Sequence, residues 1–277
     1  MIISLCNEVL RDMDFAEQCS YASAVGYDGM EIAPFTLDAE PHLIPASKRA
    51  ELRRFAADAG IKITGLHWLL ITPPGLSVTT TDNSVRRRTL DVMRGLVELC
   101  ADLGGNVLIH GSPKQRLLSD DEDREEGIKR AEEVFSEVGL AAEAVGVTYC
   151  IEPLSTAETN FINNISEAAD LVSRIDIPAF RTMLDTKAAA SSETDSIPDL
   201  IRKWFPRGVI RHVHVNDRNL RAPGQGDDLF TPVFRGLKEQ GYDGVVSVEP
   251  FDYVPDGKSA ASRAIGYIQG ILEAIEG

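Results

Sequence analysis

The feature that most constrains this chain is an alternation that runs from one end to the other. Short apolar runs rich in β-branched residues are each followed by a longer stretch with helical periodicity, and no Pro/Gly/Ser-rich linker interrupts the series. These runs predict strands at Ile2 to Cys6, Gly29 to Ala33, Lys62 to His67, Asn106 to His110, Thr148 to Glu152, Arg181 to Asp185, Val209 to Val215 and Val245 to Glu249. Helical patterns between them include Ser84 to Leu103, Asp121 to Ala144 with its acidic start, and Ser259 to Ile275. Gly26, Gly60, Gly146 and Gly241 stand shortly before strands, where the end of a helix calls for a left-handed residue. Strand-helix units repeated in this way over 277 residues predict an α/β fold, a single (β/α)8 TIM barrel spanning residues 1–277 as one domain. An open doubly wound sheet is the competing architecture. No Gly-x-Gly-x-x-Gly follows the first predicted strand, however; Asn7-Glu8-Val9 stands there instead.

Charge and composition exclude several functions. Lys plus Arg number 28 against 43 Asp plus Glu, a formal charge of −15, so the surface repels a polyanion and no nucleic-acid partner is expected. Cys6, Cys19, Cys100 and Cys150 lie far apart in apolar stretches, without the spacing of a disulfide framework or zinc knuckle, and read as buried thiols in a reducing compartment. The opening Met-Ile-Ile-Ser-Leu-Cys lacks a basic leader region, and no apolar stretch of about 20 residues is present to span a membrane. A soluble, cytoplasmic protein without membrane association is expected.

In a barrel of this kind chemistry sits at the C-terminal ends of the strands, where the following loops frame a pocket. The residues at or just past those ends are Asn7, Glu31, His67, His110, Glu152, Asp185, His214 and Glu249, all polar or ionisable. Burying so many such groups among Val, Leu and Ile is costly unless each is paired or bound to an ion, so the set is expected to converge on one site. Glu152, Asp185, His214 and Glu249 form the sharpest subset. Three carboxylates and an imidazole make a hard, mostly oxygen donor set suited to one divalent cation, with Mn²⁺ expected and Mg²⁺ or Co²⁺ as alternatives. His212 and His214 point to the same face of their strand, so either can be the nitrogen ligand; His214 is preferred because it lies nearer the strand end.

These residues resemble the xylose-isomerase-like TIM barrels of the sugar isomerase and epimerase group, and within it the D-tagatose/D-psicose 3-epimerases. The most specific pieces are Glu152-Pro153-Leu154 with Glu158-Thr159, the strand end Leu184-Asp185-Thr186, and His212-Val213-His214 leading to Asn219 and Pro223-Gly224-Gln225-Gly226. Gly241-Tyr242-Asp243-Gly244 with Glu249-Pro250-Phe251 completes them. The resemblance implies Glu152, Asp185, His214 and Glu249 as metal ligands, the two glutamates as the catalytic acid/base pair, and Glu158 near the reacting end of the substrate. It places His67-Trp68 and His110-Gly111-Ser112-Pro113 around the pocket. Two positions depart from the pattern. A substrate-touching histidine is replaced by Ala188, with Lys187 beside it, and an arginine next to the loop Asn is Leu220, with Arg218 and Arg221 near enough to substitute.

The function expected is a divalent-metal-dependent sugar epimerase or isomerase working through an enediolate, in the first place a ketose 3-epimerase acting on a small-molecule sugar. Substrate contacts are expected from Glu158, His67, His110, Arg221, Glu31 and Lys187. The alternative is an isomerase or dehydratase for an inositol-type, acidic or phosphorylated sugar, met by Lys187, Arg116, Arg218 and Arg221. A trinuclear endonuclease would need more histidines than the five present, and a non-catalytic sugar-binding module has no reason to carry the metal set. A homo-oligomer, dimer or tetramer, is left open.

Overall fold

The alternation closes on itself. In a computed structural model describing residues 1–120 and 123–276, the strands form a closed parallel barrel in chain order. They are β1 (Ile2–Cys6), β2 (Gly29–Ile32), β3 (Lys62–Leu66), β4 (Val107–His110), β5 (Thr148–Ile151), β6 (Phe180–Asp185), β7 (Ile210–Val215) and β8 (Val245–Val248). Closure is made by β1 on β8, in register from Ile2↔Val245 to Leu5↔Val248. The (β/α)8 expectation is met, and the strand bounds differ from the predicted ones by a residue at several ends. Four predicted strands end one residue late, so Ala33, His67, Glu152 and Glu249 are the first residues of loops.

Helices follow each strand: α1 (Phe15–Val25), α2 (Ala46–Asp58), α3 (Asn83–Leu103), α4 (Arg124–Val145), α5 (Ile165–Ile175), α6 (Thr186–Ser192), α7 (Ile197–Trp204), α8 (Thr231–Glu239) and α9 (Gly257–Glu276). The acidic start predicted for the fourth helix begins at Asp121 and Glu122, which lie outside the described residues. Local chemistry sets the bounds. Asp14 and Glu17 form a reciprocal capping box at the head of α1, while Asp82, Asp123, Asn164 and Ser196 cap α3, α4, α5 and α7. Gly26 and Gly146, at φ 107° and 75°, end α1 and α4.

The main core lies between the strands and the helices, with Leu96, Phe135, Leu171 and Ile268 facing Met30, Leu108, Tyr149 and Phe180. Val107, Ile109, Cys150 and Met183 form a separate apolar cluster, from the other face of β4, β5 and β6. Among the described residues no helix is long and apolar enough to cross a membrane.

Gly65 lets β3 and β4 approach closely. A Cβ there would lie 2.3 Å from the Val107 carbonyl oxygen and 2.6 Å from its Cγ1. Backbone cannot retreat as a side-chain tip can. Gly65→Ala should therefore cost about 1–3 kcal/mol of stability, read from urea unfolding; an unchanged unfolding midpoint would show that the strands can separate freely.

Candidate active site

At the C-terminal rim, four strand ends deliver their side chains to one point. Asp185 closes β6 and caps α6, its Oδ1 accepting from the Ala188 N–H at 2.6 Å and its Oδ2 from Asn216 Nδ2 at 2.9 Å. Glu152 and Glu249 are the first residues beyond β5 and β8, and His214 is the penultimate residue of β7. One potential ligand atom from each of the four lies within 4.8 Å of the others, and all four side chains are buried.

His214 is held by one ring nitrogen and faces the carboxylates with the other. Its Nε2 lies 2.9 Å from Glu31 Oε1, while its Nδ1 is 3.0 Å from Glu249 Oε2 and 4.0 Å from Glu152 Oε1. His212 does not join them; its Nε2 lies 2.8 Å from Glu31 Oε2. Glu31 is fully buried, also accepts a hydrogen bond from the Ser247 hydroxyl at 2.5 Å, and lies 3.6 Å from His67 Nδ1. A carboxylate behind a ligand-type histidine fixes both its tautomer and its ring plane.

The electrostatics are unbalanced. Burial, reinforced by the charge of Glu249, pushes the Glu152 carboxyl well above the ordinary range, and the same two causes lift Asp185 to about 6. Burial would raise Glu249 too, but the facing His214 holds it below its usual value. Burial would lower His214, yet Glu249 and Glu31 outweigh it and keep the ring protonated well above the usual range. Three carboxylates thus confront one imidazole. His214 Nδ1 and Glu249 Oε2 are both buried, 3.0 Å apart, with no further hydrogen-bond partner, and the donor set is hard oxygen plus one nitrogen, so the group fits a divalent cation. Two other groupings have donors close enough, Cys6-Glu8-His67-Glu249 and Cys6-Glu31-His214. In these Glu8 is bonded to His67 Nε2 at 3.0 Å, and Glu31 is committed to His214 and Ser247.

A cavity of about 450 Å³ opens above the cluster, with Glu152, Asp185 and Glu249 in its wall. Trp68, at φ 51°, donates its indole N–H to Glu249 Oε1 at 3.0 Å and sets its ring 5.9 Å from that of Phe251. Lys187 Nζ lies 2.7 Å from Glu158 Oε1 and 5.3 Å from the Phe251 ring centroid. Burial opposes the Lys187 charge, but Glu158 more than compensates.

Of the residues expected to touch a substrate, Glu158 and Lys187 line this cavity. The structure does not bring the other four to its wall. Glu31 and His67 are buried behind the cluster. His110, with no exposed surface, is turned by the two-residue alternation of β4 toward Phe135 of α4 and lies 2.7 Å from the Tyr149 hydroxyl. Arg221 is paired with Asp252 at 2.9 Å, as Arg218 is with Asp228 at 2.8 Å, so neither substitutes for the arginine that the resemblance leads one to expect. Asn7 ties loops together, accepting from the Ala33 N–H at 2.8 Å and donating to Gln18 and Thr36. The polar strand ends therefore form a layered network in which four cluster together and three of these reach the cavity, rather than one site of eight.

Trp68, Gly111 and Phe251 stood inside motifs that the sequence singled out, but without a sign of their task. Gly111 leaves room for Glu152, whose Oε2 would be 1.9 Å from any Cβ there. Asn216 was missed altogether. It donates to Asp185 Oδ2 and to the Glu249 carbonyl, and accepts from the Lys187 N–H at 3.0 Å.

The family model for xylose isomerase-like TIM barrels matches residues 19–271. This chain belongs to that family. Among members of the xylose isomerase-like barrels, the D-psicose 3-epimerase of Ruminiclostridium cellulolyticum is 28% identical over 248 residues, covering 87% of this chain and 79% of its own. The fructoselysine 3-epimerase of Shigella flexneri is 23% identical over 266 residues, 91% of each chain. Among solved structures, the 3-keto-D-glucoside 4-epimerase of E. coli superposes with a TM-score of 0.84 at 18% identity, covering 98% of this chain and 99% of that one. A D-psicose 3-epimerase crystallised with D-fructose gives 0.83 at 20%, with the same coverage. These two superpositions establish the shared barrel.

Burial alone would raise Glu31, but His212 and His214 hold it well below the ordinary carboxylate range. Its charge therefore contributes stability above about pH 4.3, its unfolded value, and that contribution is lost as the pH falls through the lower folded value. Glu31→Gln should lose about 3–5 kcal/mol in denaturant unfolding at pH 7, the gap to the parent narrowing on acidification. A gap that stays constant with pH would contradict an ionised Glu31.

Proposed function

We propose that this protein is a divalent-cation-dependent ketose 3-epimerase. The observation that carries the reading is that Glu152 and Glu249, from β5 and β8, line one cavity with Asp185 and form with it and the buried His214 a single cluster of ligand atoms. The names of the relatives, psicose and fructoselysine 3-epimerases, point the same way. Glu152, Asp185, His214 and Glu249 are the residues that would hold the ion, Mn²⁺ first, with Mg²⁺ and Co²⁺ of similar donor preference. When bound, such an ion supplies Lewis-acid polarisation of the sugar's carbonyl and neighbouring hydroxyl.

The protein's own groups handle the protons. Epimerisation at C3 needs a base on one face of the reacting carbon and an acid on the other. β5 and β8 are separated by β6 and β7, so their glutamates approach the cavity from different sides. One carboxylate takes the C3 proton, leaving the electron pair in an enediolate; the other, protonated, returns a proton to the opposite face. Trp68 holds Oε1 of Glu249, which turns Oε2 toward His214 Nδ1 at 3.0 Å. Lys187, steadied by Glu158, donates to a substrate oxygen and offsets charge that develops there. Trp68 and Phe251 wall the reacting region from water.

An acidic or phosphorylated substrate is less well served. Arg218 and Arg221 are each paired with a carboxylate and Arg116 is fully buried, so of these cations Lys187 alone stands in the cavity wall, where it already shares its charge with Glu158. A cytoplasmic setting is consistent with the free, buried state of Cys6, Cys19, Cys100 and Cys150.

With Mn²⁺ and ketohexoses in D₂O, deuterium should enter C3, and Glu152→Gln and Glu249→Gln should each lower kcat by about 10² to 10⁴. Full exchange in both variants would end this reading. Relieving the like-charge crowding should also make ion-free Glu152→Gln more stable by about 0.5–2 kcal/mol, while the stabilisation gained on adding Mn²⁺ shrinks. Differential scanning calorimetry with and without the ion checks both signs.

A further inference from the structure

We propose that the outer half of the cavity is a subsite for an apolar substituent, so that the preferred substrate is a ketose carrying an aryl or alkyl group rather than a free sugar. This rests on the epimerase reading, because that reading puts the carbonyl and C3 at the carboxylate cluster and leaves the far end of the sugar pointing outward.

Two observations carry it. The cavity holds about 450 Å³, whereas a ketohexose fills roughly 200 Å³ at the packing density of organic crystals. Apart from Lys114 and Gln115, the lining other than the carboxylates and the Glu158–Lys187 pair is apolar, with Ile71, Pro113, Leu154 and Leu220 beside Trp68 and Phe251.

Leu220 makes the case particular to this chain. The resemblance leads one to expect an arginine here, and both neighbouring arginines are paired elsewhere. Leu220 instead presents an apolar side chain to the cavity from a left-handed backbone, at φ 72°. Hydroxyls pressed against such a wall lose water without gaining partners. A hydrocarbon group pressed against it gains by leaving water.

The test compares D-fructose with 6-O-benzyl-D-fructose, which carries its substituent on the carbon farthest from the carbonyl, on the Mn²⁺-loaded enzyme. Exchange of the C3 proton gives kcat/KM, and titration calorimetry gives Kd. Burying the ring should favour the benzyl ether by roughly 10–150-fold in both quantities. Leu220→Asn, which suits a left-handed backbone, should cut that preference by about tenfold. Equal or lower kcat/KM and Kd preference for the ether overturns the subsite while leaving the epimerase reading intact. If neither sugar exchanges, the epimerase reading falls, and calorimetry decides the subsite alone: tighter binding of the ether that is weakened in Leu220→Asn upholds it, and equal binding ends it.

Discussion

Glu31 crosses behind the rim from β2 to meet His212 and His214 of β7 and Ser247 of β8, with no exposed surface of its own. That carboxylate decides which nitrogen of His214 faces the other carboxylates. With Nε2 held by Glu31, Nδ1 is left toward Glu249 and Glu152. Without Glu31 the imidazole would be free to flip, and His212 would lose the charge it is turned toward. The strand register prepares this meeting, since His214 and Ser247 are direct partners between β7 and β8, and Glu31 pairs with Cys6 on the intervening β1. A buried charge of this kind is tolerable because imidazoles and a hydroxyl surround it.

The barrel was readable because its signal is repetitive: every unit pairs a β-branched run with an amphipathic one, and errors at single strand ends do not alter the count. The cluster of Glu152, Asp185, His214 and Glu249 was readable for a related reason, because a carboxylate at the end of an apolar strand has few inexpensive fates. What the sequence could not show was depth. Asn7, Glu31, His67 and His110 share the same position along their strands as the cluster, yet they serve loops, imidazoles, Glu8 and Tyr149 respectively. Whether a strand-end side chain enters the cavity depends on the pleat and on local shifts, such as the irregularity between Met30 and Glu31, and neither is encoded in residue type.

Charge pairing was equally hidden. Arg218 and Arg221 look like substrate ligands in sequence because they flank the loop Asn, but Asp228 folds back from later in the same connection and Asp252 comes from beyond β8 to pair with them. Lys187 shows the opposite outcome. It is steered into the cavity by Glu158, 29 positions earlier, so a cation stands close to the place where the resemblance leads one to expect an imidazole. An ammonium keeps its charge through neutral pH, whereas an imidazole titrates there. The exchange thus makes the cavity's charge less sensitive to pH at this point.

Asn216 explains how that placement is made rigid. Its amide nitrogen bonds Asp185 Oδ2 and the Glu249 carbonyl, and its amide oxygen receives the Lys187 N–H and the Thr186 hydroxyl. One neutral side chain thereby links the ends of β6, β7 and β8 and the first turn of α6. A carboxylate in its place could not donate to Asp185 and would add a further negative charge to three already crowded. An aliphatic residue would leave those donors and acceptors unsatisfied beneath the cavity. Asparagine alone among residues of this size offers two N–H donors and a carbonyl acceptor without charge, so the residue that carries no chemistry of its own is as constrained as the glutamates it positions.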